Sequence, residues 1–167
     1  MLLVSTIMIN AKLKSLRNPV VLLATWFGSG LLPKAPGTWG SLAALPFAWG
    51  ISAWGGWPAL AMATMAVSLI GWWASARYVR MTGIDDPGCV VIDEVAGQWL
   101  VLLFTPPNLV LFGIGFALFR LLDISKPWPA SWADQRVRGG LGVMLDDILA
   151  AGYGLAMMTG LQYWWRN

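Results

Sequence analysis

The eight acidic residues of this 167-residue chain all fall between Asp85 and Asp147. They stand in small groups: Asp85–Asp86, Asp93–Glu94, Asp123 with Asp134 beyond it, and Asp146–Asp147. Three of these groups lie at the edge of, or inside, long apolar runs. A carboxylate at a bilayer centre costs at least ~2.5–3.5 kcal/mol, so acids kept in such places point to chemistry. The chain has no histidine, which excludes Ser-His-Asp triads, imidazole acid–base work and the usual zinc sites. A metal would therefore rest on oxygen ligands, which favours Mg²⁺ or Mn²⁺.

Each group also has a plainer reading. Asp93 and Glu94 stand in Val90-Val-Ile-Asp-Glu-Val-Ala-Gly-Gln98, about two turns into an apolar run. Adjacent helical positions diverge, so the pair can serve two ligands or two roles, while Glu94 and Gln98 share a face. The alternative is a buried ion pair with Arg77 or Arg120. Asp123 lies in Phe119-Arg-Leu-Leu-Asp-Ile-Ser-Lys-Pro-Trp-Pro129. Arg120, Asp123 and Lys126, three apart, line one helix face, either as a metal ligand beside two phosphate-binding cations or as a helix-end ion-pair ladder. Asp146 and Asp147 read as metal ligands or as first-turn acids complementing a helix dipole. Asp86 reads as a helix cap with Pro87 at the first helical position, and Asp85 and Asp134 as solvated surface residues. The loop Gly28-Ser-Gly-Leu-Leu-Pro-Lys-Ala-Pro-Gly-Thr-Trp-Gly-Ser41 fails the P-loop and dinucleotide fingerprints. It could bind anions through backbone N–H groups and Lys34, or simply turn the chain into a helix capped by Thr38.

The elements that must position these residues are apolar. The chain is 57% hydrophobic and 11% charged, with a mean hydropathy of +0.64, whereas a soluble domain carries about 25% charged residues. The fold class predicted is an all-α polytopic membrane helix bundle. It would hold about four to five spanning helices plus an N-terminal interfacial or re-entrant helix over 19–32. The spans are expected near 39–56, 59–76, 89–105, 109–124 and 144–164. Residues 1–18 form a basic arm with Lys12, Lys14 and Arg17. Leu2–Ile9 is too short for a convincing signal peptide. The single cysteine, Cys89, suits a buried apolar position.

The basic residues gather at one set of span ends, and the turns Gly55–Pro58 and Thr105–Asn108 carry no charge. They therefore indicate orientation rather than nucleic-acid binding, and the charged side is expected to be cytoplasmic. All the acids and three helix N-termini then meet in one layer, a setting suited to phosphate.

Four segments occur in order: GSGLLPKAPGTWGS, IDEVAGQ, FRLLDISKPWP and GGLGVMLDD. Together they resemble the phosphatidylglycerophosphatase A family over roughly residues 20–155, making 19–167 one membrane domain of that kind. The resemblance implies a Mg²⁺-dependent lipid phosphatase of the bacterial inner membrane, which removes the terminal phosphate of phosphatidylglycerophosphate. With the residue reading, it nominates Asp93, Glu94, Asp123, Asp146 and Asp147 for metal binding, with Asp93, Glu94, Asp123 and Asp147 also catalytic. Lys34, Gly37, Thr38, Ser41, Arg120 and Lys126 are nominated for the substrate phosphate. The partners expected are a phospholipid substrate and the membrane, with no nucleic acid and the oligomeric state open. A metal-dependent lipid phosphotransferase and a small cation transporter are the alternatives. The first normally carries a longer series of spaced aspartates on one helix, and the second needs access from both sides.

Overall fold

A computed structural model describes residues 16–166. Among these residues the fold is entirely helical: α1 (Pro19–Ala24), a 3₁₀ turn (Ser29–Leu31), α2 (Pro36–Thr82), α3 (Ile92–Val101), α4 (Leu109–Ser125), α5 (Ala130–Arg136) and α6 (Gly139–Arg166). Most of the basic arm lies outside the described residues.

Two of these helices, Pro36–Thr82 and Gly139–Trp165, are long and apolar enough to cross a membrane. A straight 47-residue α2 would run about 70 Å. Yet residues just before and within its first turn, Ala35 to Gly37, line the same cavity as Asp85 and Asp86 beyond its end. The chain must therefore fold back within α2. It does so at Gly56, whose φ of 64° and ψ of −162° leave helical space, with Pro58 just after. A side chain with a Cβ would be strained at that φ.

α3 is the hub. It has ten residues, eight of them buried, enclosed by α2 and α6, against which it packs most extensively. Trp99 Nε1 donates to Ala44 O of α2 at 2.9 Å. On the other side Gly97 lets α4 and α6 approach. A Cβ there would meet Phe119 Cε2 at 2.5 Å and Asp147 O at 3.3 Å. This contact sets α3, α4 and α6, the three helices that carry the central acids, against one another.

Several expected boundaries are corrected. The N-terminal helix ends at Ala24 rather than near 32, because the chain turns through Trp26 and Phe27 at positive φ. Thr38 is not a cap. Pro36 begins α2, the cap position is Ala35 at φ 48°, and Thr38 sits inside the first turn. Asp86 does not cap α3 either, because Pro87–Val91 forms a loop and the helix begins at Ile92. Val90 N bonds Pro87 O, and Val91 N bonds Ala24 O of the α1 segment, so tertiary pairing replaces the expected first turn. At ten residues α3 is far shorter than the expected span 89–105. α4 has seventeen and reaches about 25 Å. Four to five spanning helices are thus more than the two that meet the length and hydropathy test.

Candidate active site

One cavity of about 510 Å³ takes in all eight acids of the chain, within the size range of small-molecule sites. Four helices supply its central groups, and the loop after α2 and the segment from Asp134 to Arg138 complete the wall. The N-terminus of α2 supplies Pro36 and Gly37, the first turn of α3 supplies Asp93 and Glu94, the end of α4 supplies Arg120, Asp123 and Lys126, and α6 supplies Asp146 and Asp147. Three helix N-termini, those of α2, α3 and α6, therefore border it, with their free N–H groups and positive dipole ends.

The deepest part is acidic. One carboxylate oxygen from each of Asp93, Glu94 and Asp147 lies within 4.8 Å of the others. Asp93 and Asp147 are buried. Glu94 Oε2, Asp146 Oδ1 and Asp147 Oδ2 are shielded from solvent without a hydrogen-bond partner. Clustered, desolvated carboxylate oxygens repel one another, and a divalent cation would satisfy them. The donor set is all oxygen, which suits Mg²⁺, so the residues present fit such an ion.

The dipole argument changes hands here. α6 begins at Gly139 and has no acid in its first turn, so Asp146 and Asp147 stand about two turns in and a first-turn role does not explain them. Asp93 and Glu94, expected two turns deep, are instead first-turn residues of α3, and Glu94 N donates to Asp93 Oδ1 at 3.0 Å.

Cations flank the acids. Arg120 Nη1 lies 2.6 Å from Asp123 Oδ2 and 3.9 Å from Glu94 Oε1, and donates to Ser41 Oγ at 3.4 Å. The ladder reading thus holds for Arg120–Asp123, and the ion-pair reading of Glu94 holds loosely with Arg120. Arg77 instead sits over the Trp73 ring, 6.0 Å from its centroid. Lys126 Nζ contacts Asp146 Oδ2 at 2.6 Å and also pairs with Asp134. Burial would lower the Lys126 pKa, but its hydrogen bonds and charge pairing with Asp134 and Asp146 outweigh this and hold it above the usual lysine range. Lys126 caps α4 at φ 43°, a left-handed conformation rare for a lysine and of the kind that clusters at functional sites.

Of the residues expected to meet phosphate, Gly37, Arg120 and Lys126 line the cavity. Ser41 is buried behind it, donating to Gly37 O at 2.8 Å. Lys34 and Thr38 are not among the lining residues. A Cβ on Gly37 would collide with Glu94 Oε1 and stand 3.0 Å from Arg120 Nη1, so the bare backbone is what lets α2 approach the acids.

Sequence reasoning set aside Asp85, Asp86 and Asp134, and it missed Gln135 and Arg138, all of which line the cavity. Asp85 Oδ2 pairs with Arg138 Nη1 at 3.1 Å. The signal for Asp134 was present in Pro127 and Pro129, which break the chain after α4 and let α5 fold back.

Comparison with known proteins follows the same lines. The family model for phosphatidylglycerophosphatase A matches residues 22–162. The chain is 40% identical over 149 residues to phosphatidylglycerophosphatase A of Escherichia coli K12, covering 89% of this chain and 86% of the relative. It is 38% identical over 151 residues to the Haemophilus influenzae protein of that name, covering 90% and 93%. A Bacteroides thetaiotaomicron protein provisionally named phosphatidylinositol-3-phosphatase is 37% identical over 156 residues, covering 83% and 91%. No solved structure matches the chain.

Proposed function

The chain belongs to the phosphatidylglycerophosphatase A family, and from that membership we propose that it hydrolyses phosphatidylglycerophosphate to phosphatidylglycerol and phosphate with the help of Mg²⁺. The observation that carries the chemistry is the triad Asp93, Glu94 and Asp147, whose oxygens converge within 4.8 Å in a cavity also lined by Arg120 and Lys126.

In this reading Asp93, Glu94 and Asp147 hold the metal, with Asp123 and Asp146 at its margin. Bound Mg²⁺ would screen phosphate charge and lower the pKa of a water. The remaining work falls to the protein. Arg120 and Lys126 take phosphate oxygens and offset the charge that builds as the P–O bond breaks. Asp123 fixes the plane of the Arg120 guanidinium through their 2.6 Å contact. At the start of α2, where Pro36 has no N–H and those of Thr38 and Trp39 donate to Ala35 O, the backbone N–H of Gly37 offers one further donor to the phosphate. Water forms the new P–O bond as the bond to the glycerol oxygen breaks, and the carboxylate of Asp93 or Glu94 takes the proton the water loses and passes it to that leaving oxygen. Attack by an aspartate with later hydrolysis of the acyl phosphate is the second route these residues allow.

The chain is further proposed to be a multi-pass protein of the bacterial inner membrane, with the cavity on the cytoplasmic side. The two halves of α2 and the long α6 would cross the bilayer. α4 would cross where it is thinned, and α3 would be enclosed by protein. Arg80, Arg136 and Arg138 lie toward the cavity end, while residues 55–58 and 105–108 are uncharged, as the positive-inside rule asks. Residues 55–58 and 105–108 contribute nothing to the cavity lining, which weighs against a transport path open to both sides.

The test is phosphate release from phosphatidylglycerophosphate in mixed micelles, with phosphatidylinositol 3-phosphate in a parallel arm. Release from the first at least tenfold faster supports the assignment. The reverse preference would move the activity to the substrate named for the Bacteroides relative, and release from neither would reject a lipid phosphatase.

A further inference from the structure

Gln98 is completely buried, and both polar atoms of its carboxamide lack a hydrogen-bond partner. Among the described residues no other side chain has two such atoms. Leaving one buried polar group unsatisfied costs about 1–3 kcal/mol, so packing alone does not account for a sequence that keeps two at one position in an apolar helix. An apolar side chain of similar length would fill the same space without that cost.

The place of Gln98 says what it could serve. It stands four residues after Glu94 on α3, so the two side chains share a face with Cβ atoms about 5–6 Å apart. Helical side chains lean toward the helix N-terminus, which for α3 is the cavity end. Glu94 Oε2, one turn ahead, is likewise buried and without a donor. Its other oxygen, Oε1, is turned toward Arg120 and packs against the Gly37 backbone. A carboxylate with one oxygen engaged and one bare is free to rotate, and a ligand that rotates is a poor ligand.

Building on the metal reading above, we propose that Gln98 is the positioning residue of Glu94, its Nε2 donating to Glu94 Oε2 when the carboxylate triad is loaded with a divalent cation. Gln98 does not touch substrate in this account. It locks the Glu94 carboxylate so that Oε1 stays aimed at the cluster, and the demand for that lock is greatest when a cation draws on Oε1. Partners of this kind behind a metal ligand change metal affinity by about 10–100-fold when removed.

The experiment uses the full chain purified in detergent, with Mn²⁺ as the probe ion and its free concentration read by electron paramagnetic resonance. Gln98→Met removes both orphaned polar atoms at nearly constant volume. The expected result is an Mn²⁺ Kd raised about tenfold or more, with a metal-free Tm equal to or above that of the wild type. Mn²⁺ affinity within twofold of wild type would overturn the proposal, and so would a weakened affinity explained by a matching fall in metal-free Tm. Gln98→Asn, whose amide falls one methylene short of Glu94, gives the same reading should Gln98→Met fail to fold. A wild-type chain that binds no Mn²⁺ would overturn the metal reading and this inference with it. A wild type that binds and a Gln98→Met variant that binds equally well would overturn the inference alone.

Discussion

Arg120 and Asp123 form a 2.6 Å ion pair one turn apart on α4, with side chains only 15% and 13% exposed. The same guanidinium reaches Ser41 of α2 and lies 3.9 Å from Glu94 of α3. One cation thus ties three helices together at the edge of the acidic cluster. A guanidinium holds its donors in a rigid plane and loses less freedom per contact, whereas an ammonium is a point charge on a flexible stem and would not keep this three-helix geometry. Arg120→Lys is therefore expected to lower kcat/KM by about 10–100-fold, or ~1.4–2.7 kcal/mol. Steady-state kinetics on the purified variant checks this, and a rate within threefold of wild type would refute the role.

Gly37 is the point where α2 comes against Glu94. Gly37→Ala places a methyl group on Glu94 Oε1, and the carboxylate, as the far end of a flexible side chain, must swing away. Folding should survive with a Tm within a few degrees of wild type, while kcat falls at least tenfold. Equal activity of the alanine variant would mean that the position of Glu94 does not matter.

The fold was legible where residue chemistry was local. Gly56 with Pro58 announced the reversal inside α2, and Asn108 announced the start of α4, where its side chain accepts from Val110 N and Leu111 N. The gathering of the acids was legible too, because the turns far from them carry no charge. What failed was the reading of helix starts from capping residues. Thr38 and Asp86 have the right chemistry, but Pro36 starts α2 two residues before Thr38, and the Val91–Ala24 backbone bond ties the start of α3 to a neighbour distant in sequence. The same failure shifted the dipole reading onto Asp146–Asp147 when Asp93–Glu94 hold the first-turn positions. Asp134 is exposed, as expected, but its ion pair with Lys126 is made by the fold-back of α5 and is not set by spacing on one helix.

Lys126 combines two properties that substitution can separate. Its backbone is left-handed and its ammonium bridges Asp134 and Asp146. Lys126→Gly keeps the backbone comfortable and removes only the cation. The expected outcome is a KM for the lipid phosphate raised about tenfold, ~1.4 kcal/mol of binding. Restored affinity in Lys126→Arg but not in Lys126→Gly would tie the effect to charge, and an unchanged KM in both would remove Lys126 from the phosphate site.

The crowded triad makes a prediction of opposite signs. Asp147 lies among Asp93, Glu94 and Asp123 around the same cavity, so neutralising it relieves repulsion. Asp147→Asn should raise the Tm in EDTA by a few degrees and abolish the stabilisation that Mg²⁺ gives the wild type through binding to the folded state. Calorimetry with and without Mg²⁺ checks both, and a variant still stabilised by Mg²⁺ to the wild-type extent would take Asp147 out of the metal site.

The most direct test of the account as a whole is phosphate release from phosphatidylglycerophosphate by the wild-type chain stripped with EDTA and then titrated with Mg²⁺. The expected result is negligible release after stripping and full recovery on adding Mg²⁺, with Asp147→Asn remaining at least a hundredfold slower at every Mg²⁺ concentration. Undiminished release by the stripped wild type, or full activity of Asp147→Asn, would contradict it.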